Sequence, residues 1–200
     1  MTDERRNEKM NGNTRRLGII AAVIIVILGM VIAQFNGLAS SYEAVQEKQS
    51  AVEVAMQRRV DLIPNLVATV KSATNHETEV FTALARARSA YGKASTVDEK
   101  SKANSQVSEA LRQFSVYVEN YPQLKSSEQY TRLMDQLEGS ENRISVARDA
   151  YNSAARSYNA RIRRFPGNIF AGMFGYDTAK YFQADASAAK APDVGKLMGS

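Results

Sequence analysis

The run Leu17-Gly-Ile-Ile-Ala-Ala-Val-Ile-Ile-Val-Ile-Leu-Gly-Met-Val-Ile-Ala33 continues uncharged through Gln34 and Phe35, and it constrains this chain more than any other feature. No formal charge occurs from Leu17 to Tyr42. At about 1.5 Å per residue, a helix over 17–35 is about 28 Å long, close to the hydrocarbon thickness of a bilayer. A helix buried in a water-soluble protein keeps a polar side, and this one has none. A single membrane-spanning helix is expected over residues 17–37. The apolar core is too long and lies too late for a cleaved signal peptide, and Gly37-Leu38-Ala39 is a poor cleavage site. Arg5, Arg6, Lys9, Arg15 and Arg16 precede the run, whereas the first charge after it is Glu43 and the first basic residue Lys48. The excess of basic residues places the charged N-terminus, 1–16, in the cytoplasm and the remainder outside. That corresponds to a single-pass protein of the bacterial inner (plasma) membrane with a periplasmic or extracellular C-terminal part. Gly29, Ala33 and Gly37 recur every four residues, a spacing that lets two membrane helices approach closely.

Composition removes several function classes. The chain has no Cys and one His, which excludes disulfides, a thiol nucleophile and thiolate zinc sites, and argues against a His-rich metal centre. Its formal charge is +5 without a block of five basic residues, which argues against nucleic acid as a partner.

From Leu38 onward the apolar period is helical. Leu38, Tyr42, Val45, Val52 and Met56 form one stripe, interrupted by Gln49. Leu66, Val70, Ala73, Val80, Leu84, Ala87 and Tyr91 form a second, with Glu77 its one charged member. Ala103, Val107, Leu111, Phe114, Val118 and Tyr121 form a third. A fourth runs from Tyr130 through Leu133, Leu137, Ile144, Tyr151, Tyr158 and Ile162 to Phe165, about 54 Å of helix. Pro64 ends or kinks a helix between the first two stripes. Gly92 suits a helix C-terminus, Thr96 with Glu99 a capping box, and Ser127 an N-cap. No period-two run of β-branched residues occurs, so strands are not expected. The expected fold is all-α: an N-terminal transmembrane helix followed by an antiparallel up-and-down four-helix bundle over 38–165. If Pro64 is a kink inside one longer helix, three long elements remain.

The fourth helix ends in Arg161, Arg163 and Arg164, and the following segment, 166–182, is apolar and aromatic, with Phe170, Met173 and Phe174. Arginines at headgroup height with Phe and Met dipping below would make a second, interfacial membrane contact. The simpler alternative is that the arginines answer the helix macrodipole and the aromatics fold back on the bundle's end. Residues 183–200 are expected to form a disordered tail.

Candidate chemistry is sparse. His76 has only Glu77, Glu79 and Lys71 at helical spacing, without a nucleophile. Glu138 and Glu141 lie on adjacent turns, and no Glu-x-x-His motif accompanies them, so no metal or cofactor is expected. Arg59 and Asp61, and Glu141, Arg143 and Arg148, fall near the apolar seam. Polar groups so placed are expected to pair and set register.

Several segments are similar to a known family. They are Gln57-Arg-Arg-Val-Asp-Leu-Ile-Pro-Asn-Leu-Val-Ala-Thr-Val-Lys71, Ala85-Arg-Ala-Arg88, Val118-Glu-Asn-Tyr-Pro-Gln-Leu-Lys125, Leu137-Glu-Gly-Ser-Glu-Asn-Arg-Ile-Ser-Val-Ala-Arg148, Tyr158-Asn-Ala-Arg-Ile-Arg-Arg-Phe-Pro-Gly-Asn168 and Phe174-Gly-Tyr176. With the membrane helix before them, they resemble the LemA family of bacterial membrane proteins from about Leu17 to Phe182. The resemblance implies a single-span protein with an external helical bundle, and it implies no catalytic residues. The longer charged N-terminus departs from many relatives. The expected function is that of a non-enzymatic interaction or structural module of the cell envelope. Its partners would be the lipid bilayer and other envelope proteins or a second copy. The alternative is a binding module for a small apolar or envelope-derived ligand, held near Tyr158, Phe165 and Phe170.

Overall fold

The computed structural model describes residues 2–74 and 79–183, with side chains over 14–72 and 79–183. The tail beyond 183, and His76 and Glu77, lie outside the described residues. The elements are α1 (Thr2–Thr74), α2 (Glu79–Lys93), α3 (Val97–Val118), the single turn α4 (Pro122–Lys125), α5 (Glu128–Arg163) and α6 (Gly167–Phe174). No strand occurs among the described residues, and the chain is all-α.

Pro64 does not end a helix: α1 runs through it for another ten residues. The ring removes one N–H and so one bond to the Val60 carbonyl. Pro64 itself is exposed, whereas Ile63 and Leu66 on either side are buried and hold the helix in place. The second predicted stripe is therefore shared. Leu66 and Val70 belong to α1, and Leu84, Ala87 and Tyr91 to α2.

The chain divides into two compact units. One comprises Val45–Arg156 with the segment from Ala179. Four helices feed its core: Val52, Met56 and Leu66 from α1, Phe81 and Leu84 from α2, Val107 and Phe114 from α3, and Leu137 and Ile144 from α5. This is compatible with the expected four-helix bundle. Burying each such side chain contributes about 1.5–3 kcal/mol, and the entropy of ordering the chain opposes the sum. Directional contacts set the register. The Tyr91 hydroxyl donates to the Glu53 carbonyl at 3.2 Å, and Lys100 Nζ meets Glu53 Oε2 at 2.6 Å. Burial, with Glu53 and Asp61 nearby, pushes the Tyr91 hydroxyl up to about 12. The Phe81 ring packs at 6.3 Å from Phe114 and 5.9 Å from Tyr117.

The last described residues are pinned here too. Asn152 Nδ2 donates to the Phe182 carbonyl at 3.0 Å, and Phe182 N–H donates to Asn152 Oδ1 at 2.9 Å. The Tyr151 hydroxyl donates to the Lys180 carbonyl at 2.7 Å. The Phe182 ring is 4% exposed, edge-on to Tyr151 at 5.0 Å.

The other unit comprises Met1–Ala44 and Ser157–Thr178. It holds the apolar run of α1, the end of α5 and all of α6.

Helix starts follow local chemistry. Thr96 Oγ1 accepts the Glu99 N–H at 3.2 Å, while the Glu99 carboxylate accepts from the Thr96 and Ser95 N–H groups at 3.1 and 2.8 Å. This reciprocal box opens α3, and Ser127 Oγ accepts from Tyr130 N–H to open α5. Hydrogen bonds from the Ser95 and Thr96 backbone hold the Glu99 carboxyl below its usual range. A carboxyl depressed by folding adds stability above its unfolded pKa, and that stability is lost as pH falls through the folded value. Thr96→Ala should cost about 1 kcal/mol. Glu99→Gln should lower the thermal midpoint at pH 7, and the difference should shrink as pH falls through the lowered Glu99 titration, as read by circular dichroism of both proteins across the acid range.

Candidate functional site

Two places gather functional groups, one in each unit. In the unit of α6, the chain turns sharply at Pro166-Gly167 after α5. A Cβ at Gly167 would collide with the Arg161 backbone carbonyl, so only glycine allows α6 to fold back this tightly. Gly175, at φ 71°, closes α6 in the left-handed region, and the Tyr176 N–H reaches the Ala171 carbonyl at 2.9 Å. The hairpin is fastened to α1 at three levels. Phe174 meets Phe35 edge-on at 4.9 Å. The Arg161 guanidinium donates to the Gly37 carbonyl of α1. Tyr42 lies between Tyr158 at 5.9 Å and Tyr176 at 5.6 Å. Tyr158 is 1% exposed and its hydroxyl donates to the Asp177 carbonyl at 2.8 Å. Burial, with Tyr42, Tyr176 and Asp177 nearby, pushes that hydroxyl up to about 12.

The residues singled out at this end therefore separate. All three arginines are exposed, and Arg161 bonds to α1 at the Gly37 carbonyl. Met173 is 67% exposed and Phe174 46%, and Phe170 is half-buried. Tyr158, Phe165 and Phe170 do not gather around a pocket: the first is enclosed by protein and Phe165 is 80% exposed. Of the small residues, Gly37 faces Arg161, and a Cβ there would lie 2.7 Å from Nη1. Gly29 has open space around it and Ala33 is exposed.

In the other unit, Arg59 is the centre of a polar cluster. It is 5% exposed and its Nη1 lies 2.5 Å from Glu141 Oε2, 3.1 Å from Ser108 Oγ and 3.4 Å from Asn104 Oδ1. One guanidinium thus joins α1, α3 and α5. Asp61 and Arg143 are exposed instead, and Asp61 accepts from Gln57 Nε2 at 2.7 Å. Sequence reasoning missed Asn104 and Ser108. Their signal was Asn104 beside Ala103 and three residues before Val107, within the buried stripe of α3. Arg148 lies 5.8 Å from the Phe182 ring. An open groove of about 870 Å³ runs between α1 and α2, with Ile63, Pro64, Val67 and Phe81 in its lining and Lys71 and Arg88 among its basic groups. Among the described residues, no three His, Asp or Glu side chains are grouped to hold a metal ion.

Three substitutions probe these arrangements. Gly167→Ala should destabilise the α5–α6 turn by roughly 1–3 kcal/mol, read as faster amide exchange over 167–176. Glu141→Ala leaves the enclosed Arg59 charge without its carboxylate and should cost roughly 1–3 kcal/mol. Arg59→Met should cost less, because Glu141, with a side chain 44% exposed, returns to water. Denaturant midpoints of the two variants check the order.

The LemA family matches residues 48–195 of the chain. Magnetosome protein MamQ 2 of Paramagnetospirillum magneticum is 28% identical over 204 residues, spanning 84% of this chain and 75% of its own. Magnetosome protein MamQ 1 of the same organism has the same identity and coverage. Magnetosome protein MamQ of Magnetospirillum gryphiswaldense is 25% identical over 192 residues, spanning 83% and 71%.

Proposed function

This chain belongs to the LemA family, and we propose that it is a non-enzymatic, membrane-anchored helical module of the bacterial cell envelope. In this reading α1 crosses the inner membrane over 17–37 with the N-terminus in the cytoplasm. The helical body lies outside and makes contacts with other envelope proteins or with a second copy. One observation carries the anchor: from Leu17 to Met30 the large aliphatic side chains of α1 are 50–69% exposed. Leaving such a surface in water forgoes on the order of 10 kcal/mol of burial, and lipid restores it. The five basic residues before the run support the orientation. The groups gathered in the two units, an arginine in a carboxylate, amide and hydroxyl cluster in one and Tyr42 between two tyrosines in the other, serve packing and place no nucleophile beside a base.

Because the sequence has no Cys, single cysteines report topology cleanly. A membrane-impermeant maleimide added to spheroplasts should label Val146→Cys at once and Thr14→Cys only after lysis. The reverse pattern would overturn the orientation. Release of the full chain by alkaline carbonate would overturn the anchor. For the interaction role, photo-cross-linkers at Val116 and Val146, 54% and 64% exposed, should capture a discrete envelope protein or a second copy in cells. Capture of neither would count against it.

A further inference from the structure

We propose that α6 is a second membrane contact: a short apolar helix lying in the outer headgroup–acyl boundary beside α1, with Arg163 and Arg164, just before it, on anionic lipid headgroups. The proposal rests on the reading that α1 spans the bilayer, and it names what the body does at the membrane surface.

Depth is the first argument. Phe174 packs on Phe35, the last apolar residue of the run, and Arg161 holds the carbonyl of Gly37, half a turn further on. Val31, Gln34 and Leu38, on that same side of α1, are more covered than their neighbours in the run. The α5–α6 hairpin is therefore fastened at the level where the hydrocarbon ends. Any bilayer that accepts the α1 run reaches α6. The second argument is what α6 leaves uncovered. Gly167 and Ala171 face inward and are buried. On α6 itself Ile169 and Met173, four residues apart, are 53% and 67% exposed, and Phe165 in the turn just before it is 80% exposed. Large apolar groups so exposed lie in an interface plane, their face about 5–10 Å into the headgroup–acyl boundary. The third argument is charge. Arg163 and Arg164 are exposed directly before the hairpin turn, and no acidic residue lies between Asp149 and Asp177. Basic side chains beside an inserted apolar face select anionic lipid. Arg161, also exposed, has Nη1 on the Gly37 carbonyl of α1, so the contact rests on Arg163 and Arg164.

The test uses the full chain, reconstituted in phosphatidylcholine vesicles with and without phosphatidylglycerol. Spin labels are placed at Met173→Cys and Ile169→Cys, with Ile25→Cys and Val146→Cys as lipid and water references. Collision with oxygen relative to a water-soluble nickel chelate reports depth. Both α6 labels should give a ratio several-fold above Val146→Cys and below Ile25→Cys. Phosphatidylglycerol should draw them deeper, and Arg163→Gln with Arg164→Gln should abolish that response. A ratio equal to that of Val146→Cys would overturn the proposal. So would low collision with both reagents together with spin–spin broadening, which would assign the face to a second copy. Depth indifferent to phosphatidylglycerol would overturn the arginine contact. A water-like ratio at Ile25→Cys would instead overturn the transmembrane reading, so the two failures are distinguishable.

Discussion

A backbone surrounded by lipid must satisfy its own N–H and C=O groups, and a continuous helix does so residue by residue. In the proposed reading that requirement bears on 17–37, a stretch of α1, which continues as one helix over Thr2–Thr74. The same helix that exposes Leu17 to Met30 goes on to bury Val52, Met56 and Leu66. Its side chains change from uniformly apolar to striped after Gly37, and the backbone does not register the change. Continuity also explains why Pro64 is tolerated. A lost bond on an exposed face costs less than unseating Ile63 and Leu66 from the core.

The turn between α5 and α6 is the second tight constraint. Gly167 lets the chain reverse against the Arg161 carbonyl, and Arg161 then reaches across to Gly37. Two glycines far apart in sequence thus serve one fastening. The guanidinium is exposed, and its bond to the helix carbonyl is charge-assisted, stronger than a neutral one. Tyr42 packs with inclined rings against Tyr158 and Tyr176 nearby, which adds to this fastening of α5 on α1.

Arg59 plays a comparable part in the helical body. Its partners come from α3 and α5, so a slip of either helix would strand a nearly enclosed charge. Such a cluster adds little net stability but opposes alternative packings.

The elements that were legible in the sequence are those that depend on local patterning. The uncharged run, the stripes at helical period, the Thr96–Glu99 box and the Ser127 cap each act within a few residues, so composition and spacing carry them. What tertiary structure decided is which of several equally patterned groups meet. Arg59, Asp61, Glu141 and Arg143 look alike in sequence, yet Arg59 is enclosed with Glu141 while Asp61 and Arg143 face water. Gly29, Ala33 and Gly37 share a spacing, but only Gly37 lies where Arg161 arrives. Phe174 and Phe182 belong to one aromatic segment, and one is left exposed while Asn152 and Tyr151 draw the other into the core. The physical reason is range. Helix formation and bilayer insertion are decided by neighbours along the chain, whereas burial of a charge or ring is decided by residues tens of positions away, 45 and 82 for Arg59 and 30 for Phe182.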